Sequence, residues 1–166
     1  MSRSPSRSRG LTLIEIAVTL AVLAVLATLT LPSFGNMVER HRLISAAEGL
    51  AADLSEARFQ AARAGQPLHV VFHTGTDWCY AVALAPGCDC GRPQPCQLKT
   101  VRGADLPGTQ LNAAANASFD PAALATVGGQ ADFSATQGAV RLSVALTPLG
   151  RARVCSPSGL RGYPAC

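Results

Sequence analysis

The feature that most limits what this chain can become is an apolar run at residues 11–31, in which Glu15 is the only ionisable side chain. As a helix the run is about 31 Å long, enough to cross the core of a bilayer. A charged side chain inside such a segment costs several kcal/mol unless a partner meets it, so Glu15 reads as functional rather than incidental. In front of it, residues 1–10 (MSRSPSRSRG) are polar, contain Arg3, Arg7 and Arg9, and carry no acid. A positive leader of this kind holds the N-terminus on the cytoplasmic side and sends the following chain across.

Pro32, Ser33 and Gly35 then predict a kink, because proline removes an i to i−4 hydrogen bond. Beyond it Leu43, Ala47, Leu50, Leu54, Ala57 and Ala61 recur at three- and four-residue steps, with Arg40, Glu48, Asp53, Glu56 and Arg63 at the other positions. The spacing predicts an amphipathic helix through residues 32–65, stopped by Gly65 and Pro67. After Pro67 the pattern changes to strands. LHVVFH and WCYAVAL flank Thr74-Gly75-Thr76-Asp77 as a hairpin, and QLKTVR, ASF, ADFSA, AVRLSVAL and GRARVC read as further strands. The Ala-, Gly- and Asn-rich stretch at 111–130 reads as mobile. The expected organisation is a leader (1–10), a membrane or filament-core helix (11–31), its amphipathic continuation (32–65) and a β-rich domain (66–166), an α+β fold with one long helix on antiparallel sheet.

The net charge of +4 is misleading as a global number. The leader holds three of the 14 cations and none of the 10 acids, so the remainder is nearly neutral. A local run says more: residues 133–166 contain Arg141, Arg151, Arg153 and Arg161 and no acid. Cys79, Cys88, Cys90, Cys96, Cys155 and Cys166 all follow the apolar segment, which puts them in an oxidising compartment and favours disulfides. Cys155 and Cys166 bracket a short tail and are expected to pair. The other four give two more bonds, with Cys88 and Cys90 going to different partners. A zinc site assembled from Cys88, Cys90 and Cys96 with His69 and His73 is the competing reading, but the CxxC spacing is absent.

RGLTLIE ahead of an apolar run resembles the class III signal of type IV pilins and type II secretion pseudopilins. The resemblance implies cleavage after Gly10 by a prepilin peptidase, methylation of the new N-terminus at Leu11, and pairing of Glu15 with the terminal amine of a neighbouring subunit. Leu11 stands where Phe is commoner. GRARVC near the end, a last cysteine eleven residues later, and WCYAV followed by CDC are similar to the FimT/GspH group of minor pilins and pseudopilins. In FimT-like proteins a GRxR element is implicated in DNA binding for natural transformation; Gly150, Arg151 and Arg153 match it. The partners so implied are other pilins, the peptidase, the inner membrane before assembly, and double-stranded DNA bound without sequence preference. The expected location is the inner membrane, single-pass, with a periplasmic domain, and the filament after assembly. No cofactor is implied.

Arg151 and Arg153 are two residues apart, so on a strand they share one face with α-carbons about 6.6 Å apart. Such a pair suits successive phosphates. Arg161 is a third candidate contact and Lys99 a remoter one. The bland alternative is that these charges keep an edge strand from pairing with strangers. His69 and His73 share strand parity but lack a local acid, and read as ordinary histidines. No GxSxG, HExxH or phosphate-binding glycine loop is present, so no enzyme is expected. Three readings follow: a DNA-binding FimT-like minor pilin, a GspH-like pseudopilin with a purely structural role, and a soluble secreted domain released by an ordinary signal peptidase after Ala27. The last leaves Glu15 without a purpose.

Overall fold

The computed structural model describes residues 12–121, 128–137, 139–147 and 149–166, without the side chains of 28–33. The expected processing junction, Gly10 and Leu11, lies outside the described residues. The chain divides into two compact units, Met1–Gly35 and Asn36–Cys166.

One helix, α1 (Leu13–Ala64), is assigned without interruption through position 32, where the sequence predicts a kink. Its start is set by Thr12, whose Oγ1 accepts the Glu15 N–H at 3.3 Å. This is the forward half of a capping box, since Thr12 and Glu15 have the S/T-x-x-E spacing. In the first unit Leu13, Ile14, Ile16, Val18 and their neighbours are exposed. Among the described residues no helix is long and apolar enough to cross a membrane. The described side chains of the apolar run, 12–27, cover only part of the 11–31 span expected to cross.

In the second unit the helix buries one stripe, Leu43, Ala46, Ala47, Leu50, Leu54, Ala57 and Ala61. The three- and four-residue steps put these side chains on one face, and each fully buried leucine stabilises by about 1.5–3 kcal/mol. Two four-stranded antiparallel sheets supply the rest of the core. The first has the order β3 (Gln97–Arg102), β2 (Cys79–Ala83), β1 (Leu68–His73), β5 (Ala117–Phe119). The second has the order β4 (Thr109–Ala114), β6 (Gln130–Ala135), β7 (Arg141–Leu146), β8 (Ala152–Cys155). Leu68, Val70, Tyr80 and Val82 from the first sheet join Leu111, Phe133, Leu142 and Val144 from the second in one cluster with the helix stripe. Trp78 ties the sheets together: it stacks on Tyr80 at 6.3 Å, meets Phe133 edge-on at 5.2 Å, and donates its indole N–H to the Thr109 carbonyl.

One strand corrects the sequence reading. β4 lies largely within the stretch read as mobile, yet it pairs with β6 from Thr109↔Ala135 to Ala114↔Ala131, with an irregularity between Leu111 and Ala113. Residues 122–127 of that stretch lie outside the described residues.

Candidate nucleic-acid interface

β7 and β8 form a hairpin closed by a hydrogen bond from the Thr147 N–H to the Arg151 carbonyl at 2.9 Å. The chain reverses through Gly150, whose N–H donates to the Thr147 carbonyl and whose φ is 69°. That left-handed conformation costs any residue with a Cβ roughly 1–2 kcal/mol, which explains the glycine of GRAR on local grounds. Ala152 and Val154 then pack against the core and Arg153 is exposed on the opposite side of β8, while Arg151, which the sequence reading placed within the strand, precedes it and is exposed. Neither guanidinium makes an ion pair or hydrogen bond among the described residues.

β8 is an edge strand. The tail after it turns back, so that Cys155 is bonded to Cys166 and the Ser156 N–H donates to the Pro164 carbonyl. Leu160 of this tail is buried in the core, and the Tyr163 hydroxyl donates to Glu48 of α1. Burial and the Glu48 carboxylate together push the Tyr163 phenol up to about 12. Arg161 is exposed in the same closed loop.

Lys99 does not join these arginines. It stands on β3, the edge of the other sheet, with its ammonium 2.6 Å from Asp53 of α1. The other oxygen of Asp53 accepts the buried Tyr80 hydroxyl at 3.0 Å, and burial, followed by Asp53, raises the Tyr80 pKa. Asp53 was visible in the sequence only as a polar helix position; its two partners are 27 and 46 residues away, and no local signal could have joined them.

The remaining cysteines pair Cys79–Cys90 and Cys88–Cys96, so the thiols of the zinc reading are consumed, and among the described residues no group of side chains could hold a metal. His69 and His73 share a side of β1 but are four residues apart, about 13 Å, too far to hold one ion. Glu15, in the first turn of α1, makes no ion pair among the described residues. A buried carboxylate that sequence reasoning missed, away from these arginines, is Glu39. It is buried and accepts the Thr136 hydroxyl at 2.7 Å and the Gln137 N–H at 3.0 Å. Burial raises its pKa, but these bonds, with Arg42 behind them, outweigh it and hold the carboxyl below the ordinary range.

A long N-terminal helix that lays an apolar stripe on antiparallel sheet is the pilin-like architecture. Residues 46–155 match the family profile described as type II transport protein GspH, and residues 5–31 match the prokaryotic N-terminal methylation motif. The chain belongs to the GspH family, as a pilin-like protein of the FimT/GspH kind. Its fold is similar to that of the type IV minor pilin FimU of Pseudomonas aeruginosa, with a TM-score of 0.54 and 20% identity over 74% of this chain and 97% of that one. No curated protein matches the chain.

Proposed function

We propose that this protein is a FimT-like minor pilin that enters a type IV pilus through its N-terminal helix and binds double-stranded DNA without sequence preference for uptake in natural transformation. The observation that carries the reading is the pair Arg151 and Arg153. Both are exposed at the start of an edge strand, lack partners among the described residues, and sit in a stretch without acids. Two guanidinium groups two residues apart can each hold a phosphate, and phosphate contacts carry no sequence information. Arg161 supplies a third contact. In this reading the precursor is cut after Gly10 and methylated at Leu11. The chain rests in the inner membrane with its globular unit in the periplasm, and Glu15 pairs with a neighbour's terminal amine on assembly.

The description of the matched family favours a second reading, a pseudopilin of type II secretion with an assembly role and no DNA contact. The globular unit 36–166 separates them, because every buried apolar residue among those described lies within it. On the first reading it binds duplex DNA at micromolar or weaker affinity with a log–log salt slope of about −2 to −3. Arg151→Gln with Arg153→Gln lowers affinity for all duplexes alike and flattens the slope by about two. A double variant that binds as tightly as wild type at low salt returns the arginines to protecting an edge.

A further inference from the structure

The outer face of the second sheet, away from the helix, is grooved. Three clefts of about 390, 600 and 220 Å³ follow one another across it. The first two share Asn112, Arg141 and Pro157, and the last two share Cys166, so each adjoins the next beside the C-terminal tail, and together they are the groove of this face. Arg141 stands in the first two clefts and Arg153 in the third. Arg153 is opposite Ala145, four residues along β7 from Arg141. The two α-carbons are therefore about 14 Å apart by strand geometry.

Arg141 is held for this position by its backbone. Its N–H donates to the Ser158 hydroxyl at 2.9 Å and its carbonyl accepts the Ser156 hydroxyl at 3.0 Å, which leaves the side chain out of the scaffold. That side chain is exposed, and its guanidinium has no ion pair or hydrogen bond among the described residues. The acid on the same groove is Asp132, whose oxygens accept the Ser143 hydroxyl at 2.6 Å and the Gln130 amide at 3.3 Å. Asn112 and Ser134, bonded to each other at 2.9 Å, line the end near Arg141.

We infer that the DNA-binding surface is not confined to the β7–β8 hairpin but runs along this groove, with Arg141 as a second phosphate-binding point and Asp132 as a built-in limit on affinity. The inference rests on the reading of Arg151 and Arg153 given above and extends the same site. One strand of duplex DNA carries a phosphate every 3.4 Å or so of helix axis. Cations about 14 Å apart therefore meet different phosphates, and their contributions add rather than compete. Asn and Ser at the Arg141 end are the neutral donors that accompany arginine on DNA backbones. Asp132, on β6 opposite Ser143 and beside Arg141 in the middle cleft, repels the backbone that the cations attract, and this limits the grip of a single subunit.

The test is titration of the unit 36–166 with a fluorescent duplex oligonucleotide over a range of salt, with thermal melts to establish that each variant folds. Arg141→Gln should weaken binding roughly three- to tenfold at low salt and reduce the salt slope by about one. Asp132→Asn, which keeps the shape of the side chain, should tighten binding roughly two- to fivefold. Arg63→Gln, in the last turn of α1, removes the same charge elsewhere and should change little. Equal losses from Arg141→Gln and Arg63→Gln, or no gain from Asp132→Asn, would overturn the groove. If the Arg141 and Asp132 variants behave like wild type while the Arg151/Arg153 double variant loses binding, the groove fails and the hairpin reading stands. If Arg151→Gln is silent while the single variants of Arg153, Arg141 and Asp132 respond, the hairpin pair fails and the groove stands. Wild-type protein that binds no duplex at low salt overturns both.

Discussion

The two sheets present the same kind of face to helix α1 and opposite kinds to their other side. Both bury alternate apolar residues against the helix stripe. On the outer side of the first sheet, Val71, Cys79, Ala81 and Ala83 form a second small core with Cys88 and Cys90 from the 84–96 loop. The Cys79–Cys90 bond fastens that loop to β2, and Cys88–Cys96 closes the loop on itself. The outer side of the second sheet has Ser134, Asp132, Arg141, Ser143 and Arg153 instead, with the tail along one edge. The difference separates two tasks within one fold. The first sheet uses its outer face for stability, and the second leaves it free for contact, so perturbing the first should move folding and perturbing the second should move binding.

The largest effect expected from this contrast comes from opening the first sheet's cover. The Cys79–Cys90 and Cys88–Cys96 bonds close short loops, each worth about 2.5–3 kcal/mol in the chain-entropy model. Replacing all four cysteines by alanine should lower the unfolding free energy of the globular unit by about 5 kcal/mol in denaturant titration. DNA affinity of the fraction still folded should not change. A parallel loss of affinity per folded molecule would break the division between the sheets.

Next comes the Cys155–Cys166 bond, with a loop of similar size and an expected loss of about 3 kcal/mol. Here stability and binding should move together. The tail borders the groove and carries Arg161, so Cys155→Ala with Cys166→Ala should also weaken DNA binding in the same titration. A destabilised variant with unchanged affinity would show that the tail only protects the edge of β8.

How far all this was legible in the sequence depended on the range of the interaction. The helix stripe from Leu43 to Ala61 was plain, because a period of 3.6 is written into neighbouring residues. So were β1, β3 and β5, whose bounds match the apolar and β-branched runs LHVVFH, QLKTVR and ASF. β4 was hidden because Asn112, Ala113 and Ala114 have little strand preference and an irregularity after Leu111 breaks the alternation; its partner strand β6 makes it a strand. The outward face of Arg153 followed from parity, whereas Arg151, one residue before β8, falls outside the strand that the parity argument assumed. The engagement of Lys99 by Asp53, and the placement of Arg141 on the same sheet face as Arg153, depend on pairings that only the folded chain creates.

A smaller effect tests the helix side of the first sheet. Tyr80→Phe removes the donor to Asp53 and keeps the ring on Trp78 and Phe72. Asp53 retains Lys99, so the loss should be about 1–1.5 kcal/mol in chemical denaturation, with no change in DNA binding. A loss above 3 kcal/mol would mean that the carboxylate depends on the phenol more than on the ammonium.

The smallest effect is a pH dependence on the side of the second sheet. Glu39 of α1 holds the turn after β6 through Thr136 and Gln137, and those bonds keep its carboxyl below the ordinary Glu value of 4.5 despite burial. The unfolded chain therefore takes up a proton at higher pH than the folded one. The stability linked to Glu39 is fully present above about pH 4.5 and is lost as pH falls through the lower folded value. Other carboxylates titrate in the same window, so the diagnostic quantity is a difference in slope. Glu39→Gln keeps an oxygen that can accept from Thr136 and Gln137 but no longer titrates, and the variant should lose stability less steeply than wild type below pH 4.5. Urea unfolding of the globular unit at intervals from pH 6 down to pH 3 measures it. Parallel curves would mean that Glu39 has the same proton affinity folded and unfolded, and that the turn after β6 is held by the sheet alone.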